Sequence, residues 1–417
     1  MLEERERMKW EITESLKTYV KQILEEVKRR GDEALIEFTE KFDEVKLSRE
    51  RLRITKEEIE EAYSLVNEKQ ISKIKSLKER VEKVEKTILE SLKITLKIDG
   101  IEITYSPKPI QSVGCYVPGG KASYPTTLVM TTTPAKVAGV PRIVVCSPPS
   151  PSGKLNPLTL VAADICGVKE IYRVGGAQAI AALAYGTETI KPVKKVVGPG
   201  SRYVAVAKLL VSQDVAIDMP GGPSEVLILA DGGADARLVA LDMISQAEHG
   251  ADSISGLVTN SERLAEDVSR ELGNLIPSLP RGEIVAESIS GKGFIVVLDS
   301  MDEIVEFVNR FAPEHLEVLI ENPEEVLEKI TSAGLVLIGS YTPVSLTDYS
   351  IGVNHVLPTG GFSHVFSSLS VLDFVKQIGF VECSREALAR LAEDVKVLAE
   401  AEGLPNHYLA IERRFKD

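Results

Sequence analysis

The sequence carries its histidines in one part of the chain, beside residues that bind metals or transfer protons. All of them follow residue 248 of the 417-residue chain: His249, His315, His355, His364 and His407. Imidazole is a common metal ligand, and it is the side chain that titrates nearest to neutral pH. So uneven a distribution indicates a functional site, and the neighbours of each histidine suggest which chemistry it performs.

Gln246 and His249 lie in the segment SQAEHG, at the end of a helix predicted to start near residue 235. A spacing of three residues places both side chains on one helix face, where they could bind the same metal ion. Gly250 then ends the helix. Taken alone, a histidine that interacts with the dipole of a helix C-terminus is the commoner explanation of such a motif.

Glu314 and His315 lie in FAPEHLEVLI, between a predicted helix and a predicted strand. An adjacent carboxylate and imidazole provide two proton acceptors of different pKa, which suits a reaction with more than one proton transfer. The alternative is an ordinary solvent-exposed loop, since this dipeptide is a common one.

Asp348 and His355 lie in TDYSIGVNHVLP, which follows the predicted strand GLVLIG. We expect this segment beyond the carboxyl end of that strand, the edge at which open α/β sheets bind ligands. Asp348 is a suitable oxygen ligand for zinc beside nitrogen donors. Turn geometry alone also explains an aspartate at this position.

The C-terminal segment AEAEGLPNHYLAIERR contains a carboxylate and an imidazole, Glu402 and His407. A helix is predicted to end at Gly403, because glycine is favoured after a helix, and Pro405 prevents its continuation. A histidine in a tail usually has no function. Such a segment could nevertheless reach a neighbouring subunit and complete a site there.

Two glycine turns lie where a nucleotide phosphate could approach the backbone. They occur in VGGAQAIAALAYG and VVGPGSRYVAVAK, each between a predicted strand and a predicted helix. Neither has the G-x-G-x-x-G spacing of a dinucleotide fingerprint, and no acidic residue is evidently spaced to bind the ribose. Cys115, in GCYVPGG, has no histidine in the same predicted domain, so we expect a packing role for it.

Periodic apolar residues predict helices at both ends of the chain, with alternating strands and helices between them. Steps of three and four give helices over residues 16–27 and 71–88, and ITLKIDGIEIT predicts a hairpin that turns at Asp99-Gly100. Two successive blocks then alternate β-branched runs with apolar helices, which predicts two α/β units with parallel sheets. From about residue 368 the pattern is helical again, through VLDFVKQI and REALARLAEDVKVLAEAEG.

Bulk composition limits the classes of function. Hydrophobic residues make up 44% and charged residues 27%, as in ordinary globular proteins, and no apolar run approaches the length of a membrane span. A net charge of −13 disfavours nonspecific binding of nucleic acid. The charged first residues lack a secretory signal, and the scattered cysteines fit a reducing compartment. We therefore expect a cytoplasmic protein with neither nucleic-acid nor membrane partners.

Taken together, the motifs resemble the histidinol dehydrogenase family. The similarity covers almost the whole chain, through CYVPGG, YPTT, VGGAQAIAALAYGT, VGPG, MPGGPSEVL, SQAEHG, APEHLE, NHVLPT, FSSLSVLDF and the AEAEGL tail, in the family's order. The resemblance implies a zinc-dependent oxidation of L-histidinol to L-histidine, through bound L-histidinaldehyde, with two NAD. That reaction is the last step of histidine biosynthesis.

The resemblance also implies roles for individual residues. It assigns catalysis to Glu314 and His315. It gives one zinc per subunit, with the ligands Gln246, His249, Asp348 and His407. Substrate contacts would be these four ligands with His315, Ser224, His355 and Glu402. NAD contacts would be Tyr116, Gln178 and Ser201, the last in place of the family's asparagine.

The family's fold implies two incomplete Rossmann-like α/β domains with helical N-terminal and C-terminal segments. We expect an N-terminal helical arm, residues 1–25, and a first α/β domain, residues 26–114 and 225–367, with the metal and catalytic motifs. A Rossmann-like NAD-binding domain, residues 115–224, would be inserted into it. The C-terminal tail, residues 368–417, would complete the partner's site in an intertwined homodimer.

Three other functions fit part of the pattern. A paralogue of the same fold would oxidise another small alcohol twice, such as a sulfonated diol. A zinc hydrolase would use a metal, a glutamate and a histidine to activate water. A noncatalytic dimer stabilised by a metal would leave the Glu314-His315 pair without a role.

Overall fold

The structure, a computed structural model, describes residues 13–119 and 123–415. Residues 1–12 of the predicted N-terminal arm, and the last two residues of the predicted tail, lie outside the described part. The helices are α1 (Glu14–Arg30), α2 (Asp32–Asp43), α3 (Lys56–Ser64), α4 (Glu68–Ser91), α5 (Pro125–Val137), α6 (Pro157–Ile165), α7 (Gly176–Tyr185), α8 (Arg202–Val211), α9 (Ala236–Ala247), α10 (Glu262–Leu275), α11 (Gly282–Lys292), α12 (Met301–Phe311), α13 (Glu324–Leu327), α14 (Val344–Tyr349), α15 (Arg385–Ala401) and α16 (Pro405–Glu412). The strands are β1 (Ile94–Ile98), β2 (Ile101–Pro109), β3 (Ser112–Tyr116), β4 (Arg142–Cys146), β5 (Glu170–Tyr172), β6 (Lys195–Val197), β7 (Ala216–Ile217), β8 (Glu225–Ala230), β9 (Ile254–Thr259), β10 (Phe294–Val297), β11 (His315–Leu319), β12 (Leu335–Ile338) and β13 (Val375–Cys383).

Helices α1 and α4 form where the apolar periodicity predicts them. The buried stripe of α1 consists of Val20, Ile23, Leu24 and Val27. The Thr13 hydroxyl accepts the Leu16 N–H at the start of this helix, and the helix ends at Gly31. The buried apolar residues of α4 are Ile74, Leu77 and Val81. Both predicted helices are confirmed.

Two parallel five-stranded sheets with the same strand order form the two α/β units. The first sheet has the order β5-β4-β3-β6-β7, and the second has the order β10-β9-β8-β11-β12. In each sheet the first strand in sequence is the middle strand, as in one half of a Rossmann fold. The prediction of two incomplete Rossmann-like units is confirmed.

A third sheet, of order β1-β2-β13, is antiparallel and joins the hairpin to the C-terminal region. The predicted turn is confirmed, because Asp99 and Gly100 both have positive φ, 49° and 83°, as a type I′ turn requires. The prediction of a helix through VLDFVKQI is wrong. Val371–Phe374 forms a short 3-10 turn, and the next residues form β13 because the second edge of β2 is available for pairing.

The N-terminal helices pack on the first sheet. The apolar residues of α3 and α4 share a core with one face of this sheet, and those of α1 and α2 share a core with the other. This packing differs from the predicted grouping of residues 26–114 with residues 225–367. Periodicity identifies the buried face of a helix, but it does not identify the sheet that the face covers.

The second sheet also has helices on both faces. Helices α9, α10 and α11 pack on one face, and α12 and α13 pack on the other. The two sheets thus repeat the same three-layer arrangement. None of the helices in the described ranges combines the length and apolar character that a membrane crossing requires.

Candidate active site

The predicted catalytic residues lie at the amino end of the second sheet. His315 is the first residue of β11, which lies between β8 and β12, and Glu314 directly precedes it. Asp348, near the end of α14, has its Oδ1 atom 3.3 Å from Nδ1 of His355, and its charge influences the pKa of His315. The expectation that Asp348 lies beyond the carboxyl end of the GLVLIG strand is therefore wrong. The short helix α14 reverses the chain and returns Asp348 to the amino end.

His315 is held as a neutral imidazole with one free nitrogen. Its Nδ1 lies 3.2 Å from the carbonyl oxygen of Glu225, and since a carbonyl only accepts, Nδ1 carries the proton. Nε2 then has a lone pair, and within the described residues it has no hydrogen-bond partner. Burial of the side chain lowers the pKa of His315 to about 4. The residue is thus a neutral base whose accepting nitrogen is available to a ligand.

Glu314 is buried beside this base, and its pKa shifts in the opposite direction. Its Oε2 atom accepts the N–H of Glu225 at 2.7 Å and lies 3.7 Å from Nδ1 of His315. Burial raises the pKa of Glu314 well above its ordinary value, and the hydrogen bond from Glu225 offsets only part of that effect. An acid and a base whose environments separate their pKa values form a pair suited to proton transfer.

His355 connects this site to the first domain. Its Nε2 lies 3.1 Å from the hydroxyl of Thr127, in the first turn of α5, and its Nδ1 faces Asp348. The adjacent Asn354 donates from Nδ2 to the Met130 carbonyl at 2.8 Å. These contacts hold His355, which is predicted to contact the substrate, between the two α/β units. Thr127 is a site neighbour that the sequence analysis missed, although it lies in the quoted YPTT motif.

Gln246 provides the structural test of a metal site. Its side chain is 1% exposed, and both amide atoms lack a hydrogen-bond partner in the described part of the chain. An unsatisfied buried polar group costs on the order of 1–3 kcal/mol, so a ligand at this position would relieve a penalty. His249 follows at the end of α9 and lies close enough that its charge lowers the pKa of His315 and His355. The amide oxygen and His249, with the Asp348 carboxylate, form a donor set that fits zinc.

The fourth predicted metal ligand, His407, lies apart from the other three. His407 and Glu402 are exposed, on α16 and at the end of α15. In the described ranges no three histidine, cysteine, aspartate or glutamate side chains are arranged to hold a metal. His249 and Asp348 both influence the pKa values of His315 and His355, whereas no such influence of His407 on these groups is seen among the described residues.

The predicted NAD contacts lie together at the carboxyl edge of the first sheet. Tyr116 ends β3, and its hydroxyl accepts the N–H of Gly176 at the start of α7. Gln178 lies in the first turn of α7, and its buried Oε1 has no partner among the described residues. Ser201 is the N-cap residue of α8, and its side chain makes no capping hydrogen bond. Two helix N-termini and unengaged polar side chains thus meet at an edge suited to a nucleotide.

A buried ion pair fixes one of the glycine turns. Lys208 on α8 donates from Nζ to the Gly198 carbonyl at 3.0 Å and pairs with Asp218, whose Oδ2 accepts the Gly198 N–H at 2.7 Å. Gly198 has φ 116°, and a Cβ here would lie 2.1 Å from the Tyr116 carbonyl oxygen. The turn therefore lies against β3 without room for a side chain.

An acidic residue lies near the nucleotide motifs in the structure, although none is evidently spaced for this role in the sequence. Asp43, at the end of α2, lies close enough to Tyr116 that its charge contributes to raising the pKa of that tyrosine. One of its carboxylate oxygens is buried without a partner in the described part, and burial raises the pKa of Asp43 to about 6. No sequence signal identified it, because Asp43 lies outside the predicted nucleotide domain.

Comparison with known proteins shows which family the chain resembles. The family model described as histidinol dehydrogenase matches residues 6–415. The histidinol dehydrogenase of Methanocaldococcus jannaschii is 48% identical over 95% of this chain and 92% of its own, and that of Methanopyrus kandleri is 46% identical over 98% and 96%. The crystal structure of histidinol dehydrogenase from Elizabethkingia anophelis superposes with a TM-score of 0.93 at 38% identity, covering 100% of this chain and 96% of that one.

We expect Lys208→Met to destabilise the protein by about 3–5 kcal/mol, because it leaves Asp218 as an uncompensated buried charge. The double variant Lys208→Met/Asp218→Asn should regain much of that free energy of unfolding, since no charge then remains. Denaturant unfolding of both variants measures the difference. Equal loss in the single and double variants would contradict the assignment of an ion pair at the Gly198 turn.

Proposed function

The chain belongs to the histidinol dehydrogenase family and is an oxidoreductase, and from that premise we propose its specific reaction and site. The protein oxidises L-histidinol to L-histidine in two steps through bound L-histidinaldehyde, with two NAD as hydride acceptors. The observation that carries the proposal is the buried His315, whose unprotonated Nε2 has no hydrogen-bond partner in residues 13–119 and 123–415. It lies beside Glu314, whose carboxyl has a raised pKa. Such a pair suits a reaction that removes several protons.

The proposed metal site consists of Gln246, His249 and Asp348 of one chain with His407 of a second chain. The unsatisfied amide of Gln246 supports it, because a metal ion would give the Oε1 atom a partner. When bound, zinc would supply a positive charge that holds the amine and imidazole nitrogens of the substrate and favours the ionised form of nearby carboxyls. Ser224, His355 and Glu402 would complete the substrate contacts.

The proposed nucleotide site is the carboxyl edge of the first sheet, at Tyr116, Gln178 and Ser201. Within the described residues, Oε1 of Gln178 and Oδ2 of Asp43 have no hydrogen-bond partner, and Ser201 makes no capping hydrogen bond. The amide oxygen and the serine hydroxyl would bind the nucleotide, and the carboxylate oxygen would accept from a ribose hydroxyl. Tyr116, by contrast, has its hydroxyl engaged by Gly176, so its contribution would come from the ring. The hydrogen bond between His355 and Thr127 supports a nucleotide placed near the catalytic pair, because it joins the segment next to Asp348 to the helix that follows β3.

The two oxidations use the same base. His315 accepts the alcohol proton at Nε2 as the carbinol hydride is transferred, which gives the aldehyde. Glu314 then takes a proton from a water molecule that adds to the aldehyde carbon, and its raised pKa makes its carboxylate a stronger base than an exposed one. The hydrate that results is a monoanion, because Glu314 holds one proton of the added water. After His315 releases its first proton to solvent, it accepts the remaining hydroxyl proton as this monoanion loses hydride to form the carboxylate, and Glu314 then releases its proton to solvent.

Family membership weighs against two of the alternatives. A zinc hydrolase or a noncatalytic dimer would not need the nucleotide edge, whereas an oxidoreductase does. A paralogue that acts on another alcohol would have the same fold, with the same carboxyl edge of the first sheet and the same amino edge of the second. The residues that favour an imidazole-bearing substrate are Gln246, Asp348, Glu402 and His407, all of which occur in this chain.

The exposed apolar surface of the C-terminal region supports the proposed homodimer. The third sheet and helices α15 and α16 expose Ile94, Leu96, Ile98, Tyr105, Phe380, Val381, Leu398, Leu404 and Leu409. Contiguous apolar elements of this kind usually mark an interface between chains. A partner that covers them would bring its own Glu402 and His407 to a site that one chain leaves incomplete.

Incubation of the purified protein with zinc, NAD and L-histidinol should yield two NADH per histidinol consumed. We expect His315→Asn to lower kcat about 10²–10⁴-fold, because the general base is lost. Absorbance of NADH, together with measured histidinol consumption, gives both quantities. A chelator should abolish turnover of the wild-type protein.

His364→Asn is the matched control, since His364 lies outside the site, with its Nδ1 3.1 Å from the Ser332 hydroxyl. It should retain wild-type activity. Turnover of a different alcohol, without turnover of histidinol, would overturn the substrate assignment while leaving the oxidoreductase intact. One NADH per substrate would overturn the two-step mechanism.

The contribution of the tail can be tested by mixing two inactive variants. We expect His315→Asn and His407→Ala to be inactive alone, and a mixture refolded at equal amounts to regain about a quarter of wild-type activity, from one intact site per mixed dimer. Specific activity before and after refolding measures the effect. If each tail served its own chain, every site of the mixed dimer would carry one lesion and no activity would return.

A further inference from the structure

Two carboxyl groups, one buried and one half-buried, face each other between β11 and α9. Glu317 lies on β11 and is 1% exposed, and Asp242 lies on α9 and is half-buried. Their carboxyl groups are hydrogen bonded to each other, and apart from Asp242 the Oε2 atom of Glu317 has no partner in the described ranges. A hydrogen bond between two carboxyl groups requires a proton, so the pair holds one proton between them.

The pair lies between three elements that carry proposed site residues, namely β11, α9 and α14. Glu317 lies two residues after His315 on β11, so both side chains are on the same face of the sheet. Asp242 precedes Gln246 by one helical turn, so these two side chains lie along one face of α9, and His249 follows two residues after the end of the helix.

The other carboxyl oxygen of Glu317 contacts α14. Its Oε1 atom accepts the N–H of Val344 at 2.7 Å, and Val344 is the first residue of α14. Asp348 follows Val344 by one turn on the same short helix. Glu317 therefore joins β11 to the start of the helix that carries one proposed metal ligand and to the helix that carries two others.

We infer that Glu317, through one hydrogen bond to Asp242 and one from Val344, positions helices α9 and α14 so that their metal ligands converge in front of His315. This inference rests on the proposed metal site. The surroundings are otherwise apolar, since Ala240, Met243, Leu337 and Val344 pack in the same core. In such surroundings hydrophobic contacts alone do not fix the rotation or translation of a helix, whereas two directional hydrogen bonds do.

Burial supports the protonation state that this arrangement needs. It raises the pKa of Glu317 and also that of Asp242, and the charge of Asp242 raises the pKa of Glu317 further. Glu317 therefore keeps its proton at neutral pH and donates it to Asp242, while its other oxygen accepts from Val344. A glutamine at position 317 would reproduce both hydrogen bonds, with Nε2 as the donor and Oε1 as the acceptor.

The test measures metal binding by full-length protein that has been freed of metal with a chelator. We expect Glu317→Ala to raise the zinc dissociation constant about ten-fold or more, as loss of outer-shell contacts usually does. The visible absorption of bound Co²⁺ should also change, because the ligands no longer converge in the same geometry. Glu317→Gln should rescue both properties, with affinity within about two-fold of the wild type.

Glu85→Ala is the matched control for a merely structural effect. Glu85 is also a buried carboxyl, 2% exposed, and it accepts the Val371 N–H at 2.6 Å, outside the proposed site. This variant should lose stability while its zinc affinity and Co²⁺ spectrum remain those of the wild type. If Glu317→Ala does not fold, Asp242→Ala, at a more exposed position, replaces it with the same expectation.

The outcomes separate this inference from the proposed function. If the wild type binds zinc and Co²⁺, and Glu317→Ala binds them equally well, the positioning role is overturned and the metal site stands. A Glu317→Gln variant as weak as Glu317→Ala would likewise overturn it, since the hydrogen bonds would not explain the loss. Failure of the wild type to bind either metal would overturn the metal site and this inference together.

Discussion

The site depends on the backbone of one residue in the middle of a sheet. Glu225, the first residue of β8, donates its N–H to Glu314 and accepts from Nδ1 of His315 through its carbonyl oxygen. The carboxylate and the imidazole are therefore fixed by the same peptide segment that pairs β8 with β11. Because strand pairing cannot shift by one residue without turning every side chain to the opposite face, the register of these strands also sets the acid–base pair.

This constraint explains why the site lies at the amino end of the second sheet. In the first sheet, Tyr116, Gln178 and Ser201 meet at the carboxyl edge, where open α/β sheets usually bind ligands. The second sheet has the same strand order but presents the opposite edge, and α9 and α14 bring His249 and Asp348 back to it. The contact of His355 with Thr127 joins the two edges. A hydride donor and a hydride acceptor held at these edges would face each other.

Burial makes the two members of the pair chemically different. It lowers the pKa of His315 and raises that of Glu314, because in each case the charged form is disfavoured in an environment without water. The same effect acts one layer further back on Glu317 and Asp242, where it stabilises a shared proton. Desolvation thus acts both on the pair proposed to exchange protons and on the pair proposed to position the helices.

The sequence by itself determined the local elements and the family to which the chain belongs. Periodicity located α1 and α4, the Asp99-Gly100 dipeptide located the hairpin turn, and alternating runs indicated two parallel sheets, because these features depend on interactions within a few residues. Tertiary structure decided what depends on distant segments: that 375–383 pairs as a strand, that the N-terminal helices cover the first sheet, and that Asp348 returns to the amino edge. It also decided the partners of Asp43, Lys208 and Glu317, since a buried polar side chain is matched by whatever group folding brings to it.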